Sequence, residues 1–89
     1  MPRVVFTSNL QRHVACPERE VSAETVGQAL GAVFADMPAA RGYILDEQGH
    51  VRKHVHIYVD GRRIEDRERL TDRVAPASEI FVLQALSGG

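Results

Sequence analysis

A mixed β-sheet of four to five strands packed on one main helix, an α+β fold, is predicted for this chain of 89 residues. Three patterns predict it. Short runs rich in β-branched and aromatic residues stand near both ends, at residues 3–7 and 79–85. An alternating run, His54-Val55-His56-Ile57-Tyr58-Val59, leads into Asp60-Gly61. Between them, Val26, Leu30, Val33, Phe34 and Met37 recur at steps of three and four.

The first strand covers residues 3–7, and polar residues 8–13 follow it. Val14-Ala15-Cys16 begins a second strand, with Pro17 as a turn or edge signal and Val21 closing the hairpin. Ser22 is the expected N-cap of the helix, because its hydroxyl can accept from a free amide of the first turn. Glu24 in that turn suits the positive end of the helix dipole. The apolar stripe faces the sheet, with Ala29 filling in. Gly27 and Gly31, four apart, are expected to let the helix lie close to the sheet. Pro38 ends the helix, since the residue before proline is pushed out of the helical region.

Tyr43-Ile44-Leu45 and His50-Val51-Arg52, separated by Asp46-Glu47-Gln48-Gly49, read as a small hairpin excursion. The strand carrying Val55, Ile57 and Val59 has one wet face, and Arg62-Arg63-Ile64 pairs back as a short edge strand. Residues 62–73 carry five arginines and four acids, a near-neutral solvated face anchored by Leu70 and Val74. Ala75-Pro76-Ala77-Ser78 turns into the last strand. That strand is expected to lie centrally, beside the first.

Composition bounds the function. The length suits one domain, with residues 1–84 as the globular body and 85–89 as a flexible tail. The net charge of -1 argues against a general nucleic-acid binder. The single cysteine, Cys16, excludes an intrachain disulfide. No apolar stretch approaches the ~20 residues of a membrane span. The start of the chain runs straight into a strand pattern without the apolar core of a signal peptide. A soluble, reducing, cytoplasmic setting is expected.

Three stretches resemble the sulfur carriers of the MoaD/ThiS family, whose fold is the ubiquitin-like β-grasp. They are Thr25-Val26-Gly27-Gln28-Ala29-Leu30, the run from Lys53 to Asp60-Gly61, and Ile80-Phe81-Val82-Leu83-Gln84-Ala85-Leu86-Ser87-Gly88-Gly89. The excursion before His54 is similar to the CysO type, which carries sulfur for cysteine synthesis. The chain departs from the family in having Ala77-Ser78-Glu79 before the last strand and no proline near the diglycine. These departures bear on the choice of partner enzyme.

The resemblance implies a cycle at the tail. The carboxylate of Gly89, anionic at neutral pH, is adenylated by an E1-like enzyme similar to MoeB or ThiF. A sulfur donor such as a rhodanese or cysteine desulfurase then converts it to a thiocarboxylate, which a sulfur-acceptor synthase consumes. The pathway served is cysteine, molybdopterin, thiamin or tRNA-thiolation synthesis. ATP belongs to the activating partner, and this chain binds no cofactor. Leu86, Ser87 and Gly88 thread the partner's active site, and residues 85–89 can reach roughly 17 Å.

Strand parity places Ile80 and Val82 inward. Phe81 and Leu83 then face outward with His54, His56 and Tyr58, and Phe81, Leu83, His56 and Tyr58 are the expected docking contacts; the bland alternatives are that these side chains simply pack on one another or that inward and outward are reversed. His54 and His56 are read as structural or partner contacts rather than metal ligands, because no cysteine or carboxylate completes the set. Cys16 is read as an inert thiol. No catalytic constellation or phosphate loop is seen, so the chain is a carrier acted on by enzymes. A second class of function shares the same adenylate: a modifier conjugated through Gly89 to target lysines. A third is a β-grasp adaptor with an idle tail.

Overall fold

The computed structural model describes residues 1–6 and 18–84. Five strands and two helices follow in the order β1 (Arg3–Phe6), β2 (Arg19–Glu20), α1 (Val26–Asp36), α2 (Pro38–Ile44), β3 (Val55–Val59), β4 (Arg62–Arg63) and β5 (Glu79–Gln84). The sheet order is β2-β1-β5-β3-β4, so the last strand is central, as its apolar composition predicts. It runs parallel to β1 and antiparallel to β3. Both edges are two-residue strands rich in charge, which blunts their open hydrogen-bonding groups.

Period-two alternation puts Val4, Phe6, Ile80, Val82, Val55 and Ile57 on one side of the sheet, all buried. Val26, Ala29, Leu30, Val33 and Phe34 of α1 close over them in a single core. The expected stripe is therefore the buried face, with Met37 packed at its end.

The start of α1 differs from expectation. Thr25, not Ser22, is the N-cap: its Oγ1 accepts from the Gln28 amide at 3.1 Å. Glu24 lies before the helix, and its amide donates to Gln28 Oε1. The amides of Val26 and Gly27 donate to the carbonyls of Asp72 and Leu70, each at 2.9 Å. Tertiary partners thus satisfy the donors that a helix start leaves free, and a neighbouring loop fixes where α1 begins. Gly27 explains this approach. A Cβ there would sit 3.2 Å from the Leu70 carbonyl oxygen, whereas Gly31 faces open space. The close contact is with the loop rather than the sheet, and Gly31 has no part in it.

Pro38 does end α1, but it also opens α2 at the first helical position, where its missing N–H costs nothing. Tyr43 and Ile44, expected in a strand, are the last turn of this helix. Only Leu45 and Val51 bridge across the turn at 46–50. Asp46 holds that turn, its Oδ1 accepting from the amides of Gln48 and His50. The expected strand at Val14-Ala15-Cys16 lies outside the described residues. The strand that pairs with β1 there is Arg19–Glu20, and Val21 closes it by donating to the Pro2 carbonyl.

The segment at 65–73 is not merely a solvated face. Asp66 Oδ1 accepts from the amides of Glu68 and Arg69, and its Oδ2 accepts from the Thr71 hydroxyl. Asp72 accepts from the amides of Glu65 and Asp66. Leu70 is buried as expected, at a positive φ of 58°. Asp60-Gly61 forms the expected two-residue turn, both residues at positive φ and flanked by the Val59–Arg62 pair. The Asp60 carboxylate also accepts from the Glu79 amide and the Ser78 hydroxyl, tying this turn to the start of β5.

Two expectations follow, both read from urea unfolding. Gly31→Ala raises stability by about 1 kcal/mol, the helix-propensity gain at an open position. Gly27→Ala lowers it, because the added methyl pushes against the Leu70 carbonyl. The second concerns acid. The hydrogen bonds from Arg69 and Thr71 hold the Asp66 carboxyl down at about 2. Its contribution is complete above the ordinary carboxylate range and is lost as pH falls from about 4 toward 2. Asp66→Asn flattens stability against pH across that window; an unchanged slope would rule the contribution out.

Candidate functional site

The face of the sheet opposite the helices carries the candidate site. Residues directly opposite in a ladder share a face. Tyr58 pairs with Phe81 and His56 with Leu83 across β3 and β5, while Val5 pairs with Phe81 across β1 and β5. Tyr58 also pairs with Arg63 of β4. One row, Val5-Phe81-Tyr58-Arg63, therefore crosses four strands, with Leu83 and His56 beside it.

Phe81, Leu83, His56 and Tyr58 are brought together there, whereas His54, expected with them, precedes the strand. Their exposure is less than expected: Phe81, Leu83, His56 and Tyr58 are each half-buried. The largest exposed apolar side chains, Met1 and Tyr43, lie elsewhere. The reason is mutual cover, since opposite side chains in a ladder lie within contact range. The Arg63 guanidinium adds to it, 6.0 Å from the centre of the Tyr58 ring, at the outer range of a cation–π contact.

His56 is the polar point of the face. Its Nδ1 is enclosed and has no hydrogen-bond partner among the described residues. Burial lowers its pKa below the ordinary imidazole value, and the positive charges of Arg63 and Arg67, with His54, act in the same direction. His54 itself is exposed, in the turn before β3. Among the described residues, no three His, Cys, Asp or Glu side chains converge to hold a metal ion. None of the described helices is long and apolar enough to cross a membrane.

The described part of β5 ends at Gln84, opposite Val55. The tail residues Leu86, Ser87, Gly88 and Gly89, and Cys16, lie outside the described residues. Three contributors escaped the reading of the sequence. Val5 was legible from its parity with Val4 and Phe6. Arg63 requires the register of the edge hairpin. Arg67 gives no sequence signal, yet its Nη2 donates to the carbonyls of Arg52 and Val55 at 2.7 and 2.8 Å, clamping the excursion to β3.

Several solved structures share this architecture over essentially the whole chain. Small archaeal modifier protein 1 (SAMP1) from Methanosarcina acetivorans matches with a TM-score of 0.80 and 24% identity, covering 99% of this chain and 95% of that one. A chain of the Amycolatopsis orientalis BexX/CysO complex matches with a TM-score of 0.83 and 18% identity, each chain covered completely. Mycobacterium tuberculosis CysO matches with a TM-score of 0.80 and 19% identity, over 97% of this chain and 100% of that one. No family model matches the sequence, and no curated protein matches it. At these identities the likeness establishes the fold, which is the ubiquitin-like β-grasp.

The buried imidazole has a consequence for stability. A folded-state pKa below the unfolded one means that the unfolded chain takes up the proton more readily. The stability tied to neutral His56 is thus present above pH ~6.5 and falls as the pH drops below it. His56→Gln removes this slope between pH 7.5 and 5.5 in urea unfolding midpoints (roughly the imidazole range). A slope equal to the parent's would exclude His56 as its source.

Proposed function

We propose that this protein is a sulfur carrier whose terminal Gly89 carboxylate is adenylated and then converted to a thiocarboxylate. The observation that carries the reading is where the described chain stops. The central strand β5 ends at Gln84 on the border of the half-apolar sheet face, and Ala85-Leu86-Ser87-Gly88-Gly89 follows directly. The likeness to CysO and to a chain of the BexX/CysO complex supports it.

The chemistry asks little of the carrier. A carboxylate is a poor acceptor of sulfur, but it can attack the α-phosphate of ATP held by an E1-like enzyme, releasing pyrophosphate. The terminal sulfur of a persulfide on a rhodanese or cysteine desulfurase attacks the acyl carbon, AMP leaves, and a thiol then cleaves the resulting acyl disulfide, ending as a disulfide while the thiocarboxylate is released. The resulting thiocarboxylate donates its sulfur in a partner synthase. This chain contributes presentation: Phe81, Leu83, His56 and Tyr58 dock the partner while Leu86, Ser87 and Gly88 enter its channel. It acts as a substrate and carrier rather than an enzyme, in the cytoplasm, with ATP held by the activating partner. The acceptor proposed first is a cysteine precursor, from the CysO likeness.

A second reading, a modifier conjugated through Gly89 to lysines, is favoured by the likeness to SAMP1. Immunoblots of cell extract separate the two. A ladder of conjugates supports the modifier. A lone band whose intact mass ends at Gly89 and rises by about 16 Da, one sulfur for one oxygen, supports the carrier.

With a MoeB- or ThiF-like enzyme and ATP, parent protein is expected to form the adenylate. Gly89→Val folds normally but is not adenylated, because a branched side chain cannot follow glycine through a narrow channel. Phe81→Ala raises KM for adenylation by about tenfold or more, the loss of one anchoring contact. Normal adenylation of the Gly89→Val variant, read by mass spectrometry, would falsify the threading.

A further inference from the structure

We infer that the hollow between the excursion turn and the edge hairpin binds a phosphate-class oxyanion. The hollow is open to solvent, spans about 560 Å³ and is lined by Lys53, His56, Arg63 and Arg67, with His50 beside them. These donors come from separate segments: the turn before β3, β3 itself, β4, and the loop that follows β4. Donors converging from several sides suit a tetrahedral oxyanion with several acceptor oxygens. A single planar carboxylate is served by one guanidinium fork.

The charges lining the hollow are largely uncommitted. Among the described residues, ion pairs are made by Arg3 and Arg19 alone, so Lys53, Arg63 and Arg67 have no carboxylate partner. Two carboxylates, Asp46 and Glu68, also line the hollow. Asp46 is engaged by the amides of Gln48 and His50 at 2.8 and 3.0 Å. Glu68 is exposed to solvent. Lys53, Arg63 and Arg67 against Asp46 and Glu68 leave the lining of the hollow with a net positive charge.

Two groups are already arranged for a ligand. Arg67 is held by its two carbonyl contacts through Nη2, which fixes the guanidinium while its other nitrogens stay free to donate. His56 lines the same hollow within the field of Arg63 and Arg67, whose charges disfavour its protonated form. An oxyanion in the hollow accepts from the Arg63 and Arg67 guanidinium groups and offsets the positive charge that disfavours the His56 imidazolium.

The test uses the full-length labelled protein and NMR. His56 is titrated in sodium sulfate, which does not itself titrate near neutrality, and in sodium chloride at equal ionic strength. The groups facing His56 are Arg63 of β4, Arg67 of the following loop, and Lys53, His54, His50 and Asp46 of the preceding turns. Sulfate is expected to raise the His56 pKa by about one unit over chloride. At fixed pH, inorganic phosphate produces saturable shifts at the Lys53, Arg63 and Arg67 amides. The double variant Lys53→Gln/Arg63→Gln, at two exposed positions, keeps the parent's thermal midpoint and loses both effects. A second arm replaces phosphate with AMP: tenfold tighter saturation identifies a nucleotide as the source, and equal saturation identifies free phosphate. Identical His56 titrations in sulfate and chloride, or undiminished saturation in the double variant, would overturn the site.

Discussion

Everything in this molecule is keyed to the pairing of β5 on both of its sides. A strand held by β1 on one edge and β3 on the other cannot slip by one residue, because a slip would send Ile80 and Val82 into water. With those two side chains fixed in the core, Phe81 and Leu83 have no choice but the opposite face. The same lock aligns them with Tyr58 and His56. The aromatic face is thus the reverse side of the core, fixed by the same strand pairing that holds the sheet together. The described chain ends on the central strand rather than at an edge of the sheet.

A second constraint runs through carboxylates that serve backbone amides instead of cations. Asp46, Asp60, Asp66 and Asp72 each accept from main-chain N–H groups in turns. Asp60 joins the β3–β4 turn to the start of β5, and the Asp66–Asp72 loop supplies the carbonyls that cap α1. One result is structural: an 89-residue chain with a small core gains order in its loops. The other is electrostatic. Acids committed to amides do not pair with arginines, so among the described residues Arg63 and Arg67 have no ion-pair partner beside His56.

Much of the site could be read from local pattern. The stripe from Val26 to Phe34 and the alternation from Val55 to Val59 are periodic signals within one segment, and each specified its own buried face. Asp60-Gly61 specified its turn through backbone angles that few other residue pairs adopt. The second helix was hidden because Pro38 carries two meanings, a stop for the helix before it and a favourable first residue for the helix after it. Ala39-Ala40-Arg41 was the available signal for the latter. The N-cap was displaced to Thr25 by carbonyls more than forty residues away in sequence, which no local rule can see.

The sequence was sufficient for the α+β class, the central last strand, the inward and outward parity of the sheet and the gathering of Phe81, Leu83, His56 and Tyr58. These follow from periodicity, and periodicity is a property of neighbouring residues. Folding alone settled which loop meets Gly27, how far the aromatic face is covered, and that Lys53, His56, Arg63 and Arg67 line one hollow. Those facts depend on distances through space between segments that share no pattern, so they exist only once the chain has closed on itself.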